Sequence, residues 1–122
     1  MKDAFGGRRV LVVEDEAMIA MLIEDMLADL GCAAVGPAHS IEEALDLAGA
    51  DGLDAALLDV NLAGRPSFAV ADLLRERGVP TIFSTGYGDA GLREADRGTT
   101  VLHKPFGAED LERALGKALG VA

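Results

Sequence analysis

Cysteine and aromatic residues are scarce in this sequence of 122 residues. It contains one cysteine, Cys32, and no tryptophan, and aromatic residues make up 4% of the chain. A single cysteine excludes an intramolecular disulfide and a metal site built from several cysteines, so we interpret Cys32 as a small buried apolar residue. Half of the residues are hydrophobic, which excludes an intrinsically disordered chain and leaves leucine, valine, isoleucine and alanine to form the core.

Basic residues and long apolar runs are also few. Lysine and arginine number 11 against 21 aspartates and glutamates, which gives a formal net charge of −10. Such a surface repels phosphate backbones and anionic lipids, so we expect no direct binding to nucleic acid or membrane. No stretch approaches the ~20 apolar residues of a membrane span, and the N-terminus does not have the pattern of a secretory signal. We therefore expect a cytoplasmic protein.

Five short apolar strands alternate with helical segments along the chain. The predicted strands are 10–13, 33–38, 55–59, 81–85 and 101–103. Amphipathic helices are predicted over 18–30, 41–48 and 111–119, and a further helix ends at Gly78. This alternation predicts one α/β domain over 1–122, with a core of about 9–120 and a parallel sheet covered on both faces.

The segment 86–99 differs from the rest of the chain. It contains four glycines, and only Leu92 and Ala95 are candidate apolar anchors for a helix. Glycine is a poor helix former and few anchors give little packing. The fourth helix is therefore predicted to be short or disordered.

Polar residues lie where the predicted strands end. Glu14 and Asp15 follow the first strand, Asp59 ends the third, Thr85 ends the fourth and Lys104 follows the fifth. Ligands of open α/β sheets bind at the carboxyl ends of the strands. Three carboxylates there favour Mg²⁺ or Mn²⁺, and an ammonium with a hydroxyl suits phosphoryl oxygens. We predict that Asp59 is a phosphoryl acceptor.

These motifs, in this order, resemble the receiver domain of two-component response regulators over essentially the whole chain. They are Val13-Glu14-Asp15-Glu16, Leu57-Leu58-Asp59, Thr85-Gly86 and Lys104-Pro105-Phe106. The segment Phe83-Ser84-Thr85-Gly86-Tyr87-Gly88 also resembles the signature of the FATGUY subgroup, with Ser84 in place of the usual alanine. The resemblance implies a flavodoxin-like, doubly wound, five-stranded parallel sheet in the order 2-1-3-4-5.

The resemblance also implies a metal site. Asp15 and Asp59 would bind Mg²⁺ (or Mn²⁺) directly, Glu14 would act mainly through water, and Asn61 would lend its backbone carbonyl. A sensor histidine kinase or a histidine phosphotransfer protein would donate the phosphoryl group from its own phosphohistidine. His39 and His103 of this chain are therefore assigned no part in catalysis.

Further roles are implied around the phosphoryl group itself. Thr85 and Lys104 would hold its oxygens, and the Lys104-Pro105 bond would be cis. Tyr87 and Asn61 would tune the lifetime of the aspartyl phosphate. Val101 stands where typical receivers carry a switch aromatic, so we expect the surface of residues 86–106, and above all the ordering of 86–99, to carry the signal.

The predicted function is that of a phosphoacceptor in a phosphorelay, which catalyses only its own phosphorylation and dephosphorylation and is otherwise no enzyme. We expect a single-domain regulator with an unknown downstream protein partner; a receiver excised from a hybrid kinase is the other interpretation.

Two alternatives to this function are a pseudo-receiver that acts by protein contact without phosphorylation and a small phosphatase of the haloacid-dehalogenase kind. Such phosphatases carry Asp-x-Asp, where this chain has Asn61 in the second position, so their general acid is missing. A flavin carrier is disfavoured because Glu14-Asp15-Glu16 would repel its phosphate.

Overall fold

The structure is a computed structural model that describes residues 5–86 and 92–120, and its strands and helices alternate. The strands are β1 (Arg9–Val13), β2 (Ala33–Ala38), β3 (Ala55–Asp59), β4 (Asn61–Leu62), β5 (Arg65–Pro66), β6 (Thr81–Thr85) and β7 (Thr100–His103). The helices are α1 (Ala17–Asp29), α2 (Ile41–Ala48), α3 (Phe68–Glu76) and α4 (Ala108–Leu119), with a short 3₁₀ helix at Glu94–Asp96. None of the described helices is long and apolar enough to cross a bilayer.

Five strands form one parallel sheet in the order β2-β1-β3-β6-β7. Since β6 and β7 are the fourth and fifth predicted strands, the flavodoxin-like order 2-1-3-4-5 is confirmed. Parallel pairing brings the carboxyl ends of β1, β3, β6 and β7 to one edge of the sheet. The polar residues predicted at the strand ends therefore lie along the same edge of the sheet.

The hairpin of β4 and β5 was not predicted. These two-residue strands pair antiparallel around a turn at Ala63 and Gly64, whose φ angles are 50° and 86°. Two positive φ values are typical of the tight turns that match the twist of a hairpin. Strands this short show no periodicity, so the glycine and proline in the segment predicted only a loop.

The core has two layers, one on each face of the sheet. Alternate residues of the central strands point to opposite faces. Val10, Val12, Leu57 and Ile82 pack with Ile23 and Leu27 of α1 and with Leu111 and Leu115 of α4. Leu11, Val13, Leu58 and Phe83 pack with Ala44 of α2 and with Val70 and Leu74 of α3. Helices on both faces explain why the central strands are continuous apolar runs.

Two smaller predictions are confirmed. Ser40 caps α2, since its hydroxyl accepts a hydrogen bond of 3.1 Å from the backbone nitrogen of Glu43, as the capping-box spacing indicates. Cys32 is 7% exposed in the core, and its burial raises the pKa of the thiol.

The described part of the glycine-rich segment contains the 3₁₀ helix Glu94–Asp96, which confirms that the helix here is short. Its last residue, Asp96, is completely buried. The Asp96 carboxylate accepts hydrogen bonds of 2.7 Å from Arg75 of α3 and from Arg93. These bonds hold Arg93 and Asp96 close to α3. Ordering of the segment during signalling stays a prediction.

Ser84 occupies the position where the subgroup has alanine, and it gives a first testable prediction. Its side chain is buried, and its hydroxyl has no hydrogen-bond partner within the residues described. An unpaired buried hydroxyl is unfavourable by about 1–3 kcal/mol. We expect Ser84→Ala to raise the free energy of unfolding by about 1 kcal/mol in urea titrations.

Ser67 provides the matched control. It is also buried, but its hydroxyl donates a 2.6 Å hydrogen bond to the backbone oxygen of Asp59. Ser67→Ala should therefore lower the free energy of unfolding. A loss of stability in both variants would contradict the interpretation of Ser84.

Candidate functional site

Lys104 connects two of the predicted site carboxylates. Its ammonium nitrogen lies 2.7 Å from Oε1 of Glu14 and 2.8 Å from Oδ2 of Asp59. Lys104 follows the edge strand β7. Its side chain therefore extends past the end of β6 to contact residues at the ends of β3 and β1. An orientation of the ammonium away from Asp59 would have overturned the predicted site, but the structure brings Lys104 into contact with both Glu14 and Asp59.

The three predicted carboxylates lie together. Glu14, Asp15 and Asp59 each offer an oxygen, and these oxygens lie within 4.8 Å of one another. The backbone nitrogen of Ala63 donates to Oδ2 of Asp15 at 3.2 Å, so the hairpin β4–β5 fixes one side of the cluster. Grouped carboxylate oxygens are the donor set of a hard divalent cation. The residues present therefore fit Mg²⁺.

Burial and charge perturb the ionisation of this cluster. Burial, and to a lesser degree the charge of Asp59, raise the pKa of Glu14 to about 7, although hydrogen bonds from Lys104 and from the backbone of Glu16 oppose the shift. Burial alone would lower the pKa of Lys104, but its bonds to Asp59 and Glu14 outweigh burial and raise it. The carboxylates of Glu14 and Asp59 share the single ammonium of Lys104, so a bound cation would offset negative charge that the ammonium does not balance.

The Glu14 carboxyl predicts a pH-dependent stability. Its pKa rises from an ordinary 4.5 to about 7 on folding, so the folded protein binds more protons than the unfolded chain in that interval. The free energy of unfolding should then fall by about 2–3 kcal/mol as pH rises from 5 to 7.5. Urea unfolding in a chelating buffer measures this slope. Glu14→Gln should flatten it, and an unchanged slope in that variant would assign the effect to other groups.

A cavity of about 180 Å³ opens beside Asp59. Its walls include Asn61, Pro66, Phe68, Thr85 and Gly86. Since water occupies about 30 Å³ per molecule in the liquid, the cavity has room for a phosphoryl group. Of the two Asp59 carboxylate oxygens, Oδ1 accepts a 3.1 Å hydrogen bond from the backbone nitrogen of Asn61 and Oδ2 contacts Lys104.

Pro105 and Val101 are not among the residues that line the cavity beside Asp59. The Lys104-Pro105 bond is cis, as the resemblance implies, and Gly36-Pro37 is also cis. Val101 is half-buried in β7 and packs against the core layer of α2 and α3. Tyr87 lies outside the described residues.

The two histidines are both exposed. Nδ1 of His39 lies 2.9 Å from the backbone oxygen of Glu14. The imidazole of His39 is therefore in contact with the main chain of a predicted site residue. His103 ends β7.

Two residues near the cavity were missed from the sequence. Phe68 forms part of the cavity wall, and the guanidinium of Arg93 lies 4.4 Å from the centre of its ring. Phe68 is the first residue of α3 and directly follows a predicted loop. The pattern of apolar residues does not show whether such a residue lines a cavity or packs in the core. Arg93 lies in the glycine-rich segment, where the sequence offered no partner for it.

A comparison with known families matches residues 10–116 to the response regulator receiver domain. The chain belongs to the response regulator receiver family. This receiver is 35% identical over 121 residues to the transcriptional regulatory protein PdtaR of Mycobacterium tuberculosis, with 96% of this chain and 59% of PdtaR covered. It thus spans less than two thirds of that relative. Because the matched family is one of signalling proteins, the match favours the interpretation as a receiver over that as a phosphatase of the haloacid-dehalogenase kind.

Solved structures support the same assignment. SdrG from Sphingomonas melonis Fr1 shares 40% identity with a TM-score of 0.83, covering 94% of this receiver and 98% of SdrG. The SdrG likeness is consistent with the FATGUY subgroup. The receiver domain of the sensor histidine kinase PA1611 from Pseudomonas aeruginosa PAO1, with magnesium coordinated in its active site cleft, shares 28% identity and a TM-score of 0.81. That alignment covers 94% of this receiver and 99% of the PA1611 domain.

Proposed function

We propose that this receiver accepts a phosphoryl group on Asp59 from a phosphohistidine of a sensor histidine kinase or a histidine phosphotransfer protein. The observation that supports it best is the contact of Lys104 with Asp59 at 2.8 Å, beside a cavity that Thr85 also lines. A lysine at this place can hold a phosphoryl oxygen while the carboxylate that it contacts acts as the nucleophile.

In the proposed reaction, a carboxylate oxygen of Asp59 forms a bond to phosphorus. The bond from phosphorus to the donor imidazole nitrogen breaks, and its electron pair stays on that nitrogen. Lys104 and Thr85 hold the phosphoryl oxygens as they move into the cavity. Asp15, Asp59 and the backbone carbonyl of Asn61 would hold Mg²⁺ (or Mn²⁺), and Glu14 would act mainly through water. When bound, the ion would offset the negative charge of the carboxylates and the phosphoryl group.

The experiment that tests this function needs no kinase. The protein is incubated with Mg²⁺ and acetyl phosphate, and intact mass spectrometry follows the product. We expect one added phosphoryl group with Mg²⁺ and none when EDTA replaces the cation. Absence of labelling under conditions that label another receiver would support the pseudo-receiver that acts by contact alone.

The proposed output is a change in the surface of residues 86–106 that a downstream protein reads in the cytoplasm. The 3₁₀ helix Glu94–Asp96 and β7 lie within this surface. Phosphorylation adds roughly −1.5 to −2 charge beside Thr85, and movement of Thr85 toward that charge would move the chain that follows it. The relative PhyR from Bartonella quintana is described as an anti-anti-sigma factor, which supports an output by protein contact. Tyr87 and Asn61 are proposed to tune the lifetime of the phosphorylated state.

The donor protein requires a docking surface next to Asp59. Helix α1 exposes Met18, Met21 and Leu22, whose exposed fractions are 79%, 62% and 57%. Leu22 also lines a largely apolar groove of about 310 Å³ that Lys104 and Phe106 complete. Because this apolar surface adjoins Lys104, which contacts Asp59, we expect the phosphohistidine donor to bind here.

Substitution on this surface gives a prediction about the donor alone. Leu22→Glu should slow phosphotransfer from a phosphohistidine donor by about tenfold or more, since it places a charge in an apolar contact. Labelling by acetyl phosphate should stay at the wild-type rate because the small donor needs no docking. Ala28→Glu, at an exposed position near the other end of α1, is the matched control. Equal loss with both donors would contradict a docking role.

A further inference from the structure

Phe68 borders the cavity beside Asp59 and contacts Arg93. It is the first residue of α3, is half-buried, and lines the same cavity as Asp59 and Thr85. The guanidinium carbon of Arg93 lies 4.4 Å from the centre of its ring. This distance is within the range of a cation–π contact. Phe68 thus borders the cavity, and its ring contacts a fixed cation.

Two carboxylates hold Arg93 in that position. Its Nε donates to Asp96 at 2.7 Å, and one of its terminal nitrogens donates to Asp72 at 2.7 Å. Asp72 follows Phe68 by four residues in α3, so both side chains lie on the same side of the helix. Asp96 is completely buried and also binds Arg75. Paired bonds of this kind define the orientation of the guanidinium plane as well as its distance.

We propose that Phe68, held in place by Arg93, is a part of the cavity wall that keeps water from the aspartyl phosphate and so lengthens the lifetime of the phosphorylated state in this receiver. The inference rests on the proposed function, because it concerns the phosphorylated form of Asp59. Phe68 is the residue in contact with the site, and Arg93 is a positioning residue that acts through it.

The chemistry of hydrolysis explains why such a wall matters. A water oxygen forms a bond to phosphorus, and the bond from phosphorus to the Asp59 carboxyl oxygen breaks. Its electron pair returns to the carboxylate, and the protons of water pass to the released phosphate and to solvent. In the proposal, the ring of Phe68 hinders the approach of this water by its bulk. Exclusion of water is an established way in which sites protect reactive intermediates.

The test compares decay rates of the phosphorylated protein. Wild type, Phe68→Ala, Phe68→Tyr and Arg93→Met are labelled with acetyl phosphate and Mg²⁺, the donor is removed by desalting, and intact mass follows the loss of the phosphoryl group. We expect decay to be roughly tenfold faster in Phe68→Ala and about threefold faster in Arg93→Met. Phe68→Tyr keeps the ring and should stay close to wild type.

Controls separate a wall from a merely structural role. Arg113→Met removes an exposed arginine of α4 that pairs with Asp110 at 3.4 Å and should decay as wild type does. The double variant Phe68→Ala/Arg93→Met should decay no faster than Phe68→Ala, since Arg93 acts through the ring. Thermal unfolding of each variant shows whether it is folded during the assay.

Several results would overturn the inference without affecting the proposed function. They are a wild-type decay rate in Phe68→Ala or in Arg93→Met, equal acceleration in Phe68→Tyr and Phe68→Ala, or additive effects in the double variant. If Phe68→Ala does not fold, Phe68→Leu, which replaces the ring with a smaller apolar side chain, takes its place in the comparison. Failure of the wild type to gain a phosphoryl group is a different outcome, because it refutes the proposed function itself.

Discussion

Asp59→Asn is expected to abolish labelling by acetyl phosphate. The substitution keeps the size and shape of the side chain but replaces a carboxylate oxygen, the proposed nucleophile, with an amide that cannot attack phosphorus. The backbone nitrogen of Asn61 donates to Oδ1 of Asp59, and an asparagine oxygen can accept that bond. We therefore expect a folded protein that gains no phosphoryl mass at any concentration of Mg²⁺.

Asp54→Asn is the matched control for this prediction. Asp54 immediately precedes β3, so it lies at the other end of the strand that Asp59 ends, and it accepts a bond of 2.8 Å from the backbone nitrogen of Arg9. Asp54→Asn should be labelled as fully as wild type. Labelling of Asp59→Asn would mean that another carboxylate, such as Asp15, accepts the group, and peptide mass spectrometry would then locate it.

The residues at the ends of the long strands could be predicted because two simple regularities place them. Apolar runs such as 55–59 show where a buried strand ends, and parallel pairing brings all such ends to one edge. Asp59 and Lys104 are 45 residues apart in the chain, yet the sheet order fixes their proximity. The contact of Lys104 with Glu14, at 2.7 Å, follows from the same order, because β1 lies beside β3.

Contacts between irregular segments could not be predicted in this way. Asp96 lies in the glycine-rich segment, whose composition predicts only a short or disordered helix. In the structure Asp96 is completely buried because Arg75 and Arg93 satisfy its carboxylate. Burial of a charge depends on partners brought by tertiary structure, and no local pattern encodes them. The position of Phe68 beside the cavity could not be predicted for the same reason.

Lys104→Met is expected to destabilise the protein most strongly at alkaline pH without divalent cations. The Lys104 side chain is 19% exposed, and the carboxylates that it contacts belong to the buried residues Glu14 and Asp59. Removal of one partner from a buried ion pair leaves an uncompensated charge and is unfavourable by about 3–5 kcal/mol. We expect a loss of that size in the free energy of unfolding at pH 8, measured by urea titration.

Lowering the pH should reduce this loss. The Glu14 pKa is about 7 even with Lys104 in place, chiefly because the group is buried, and loss of the ammonium would raise it further. At pH 5.5 the Glu14 carboxyl is then protonated in the folded variant, and the repulsion between Glu14 and Asp59 is largely removed. The difference in stability between wild type and Lys104→Met should therefore increase as pH rises from 5.5 to 8.

Mg²⁺ and a second lysine complete the test. A cation held by the carboxylates of Glu14, Asp15 and Asp59 binds only the folded protein, so Mg²⁺ should restore part of the stability that Lys104→Met loses. Lys117 is exposed on α4, and Lys117→Met should change the free energy of unfolding by less than about 0.5 kcal/mol at any pH. If Lys104→Met were no less stable than Lys117→Met at pH 8, Lys104 would not balance the charge of the carboxylate cluster. The assignment of Lys104 as the cation that receives the phosphoryl oxygens would then lose its main support.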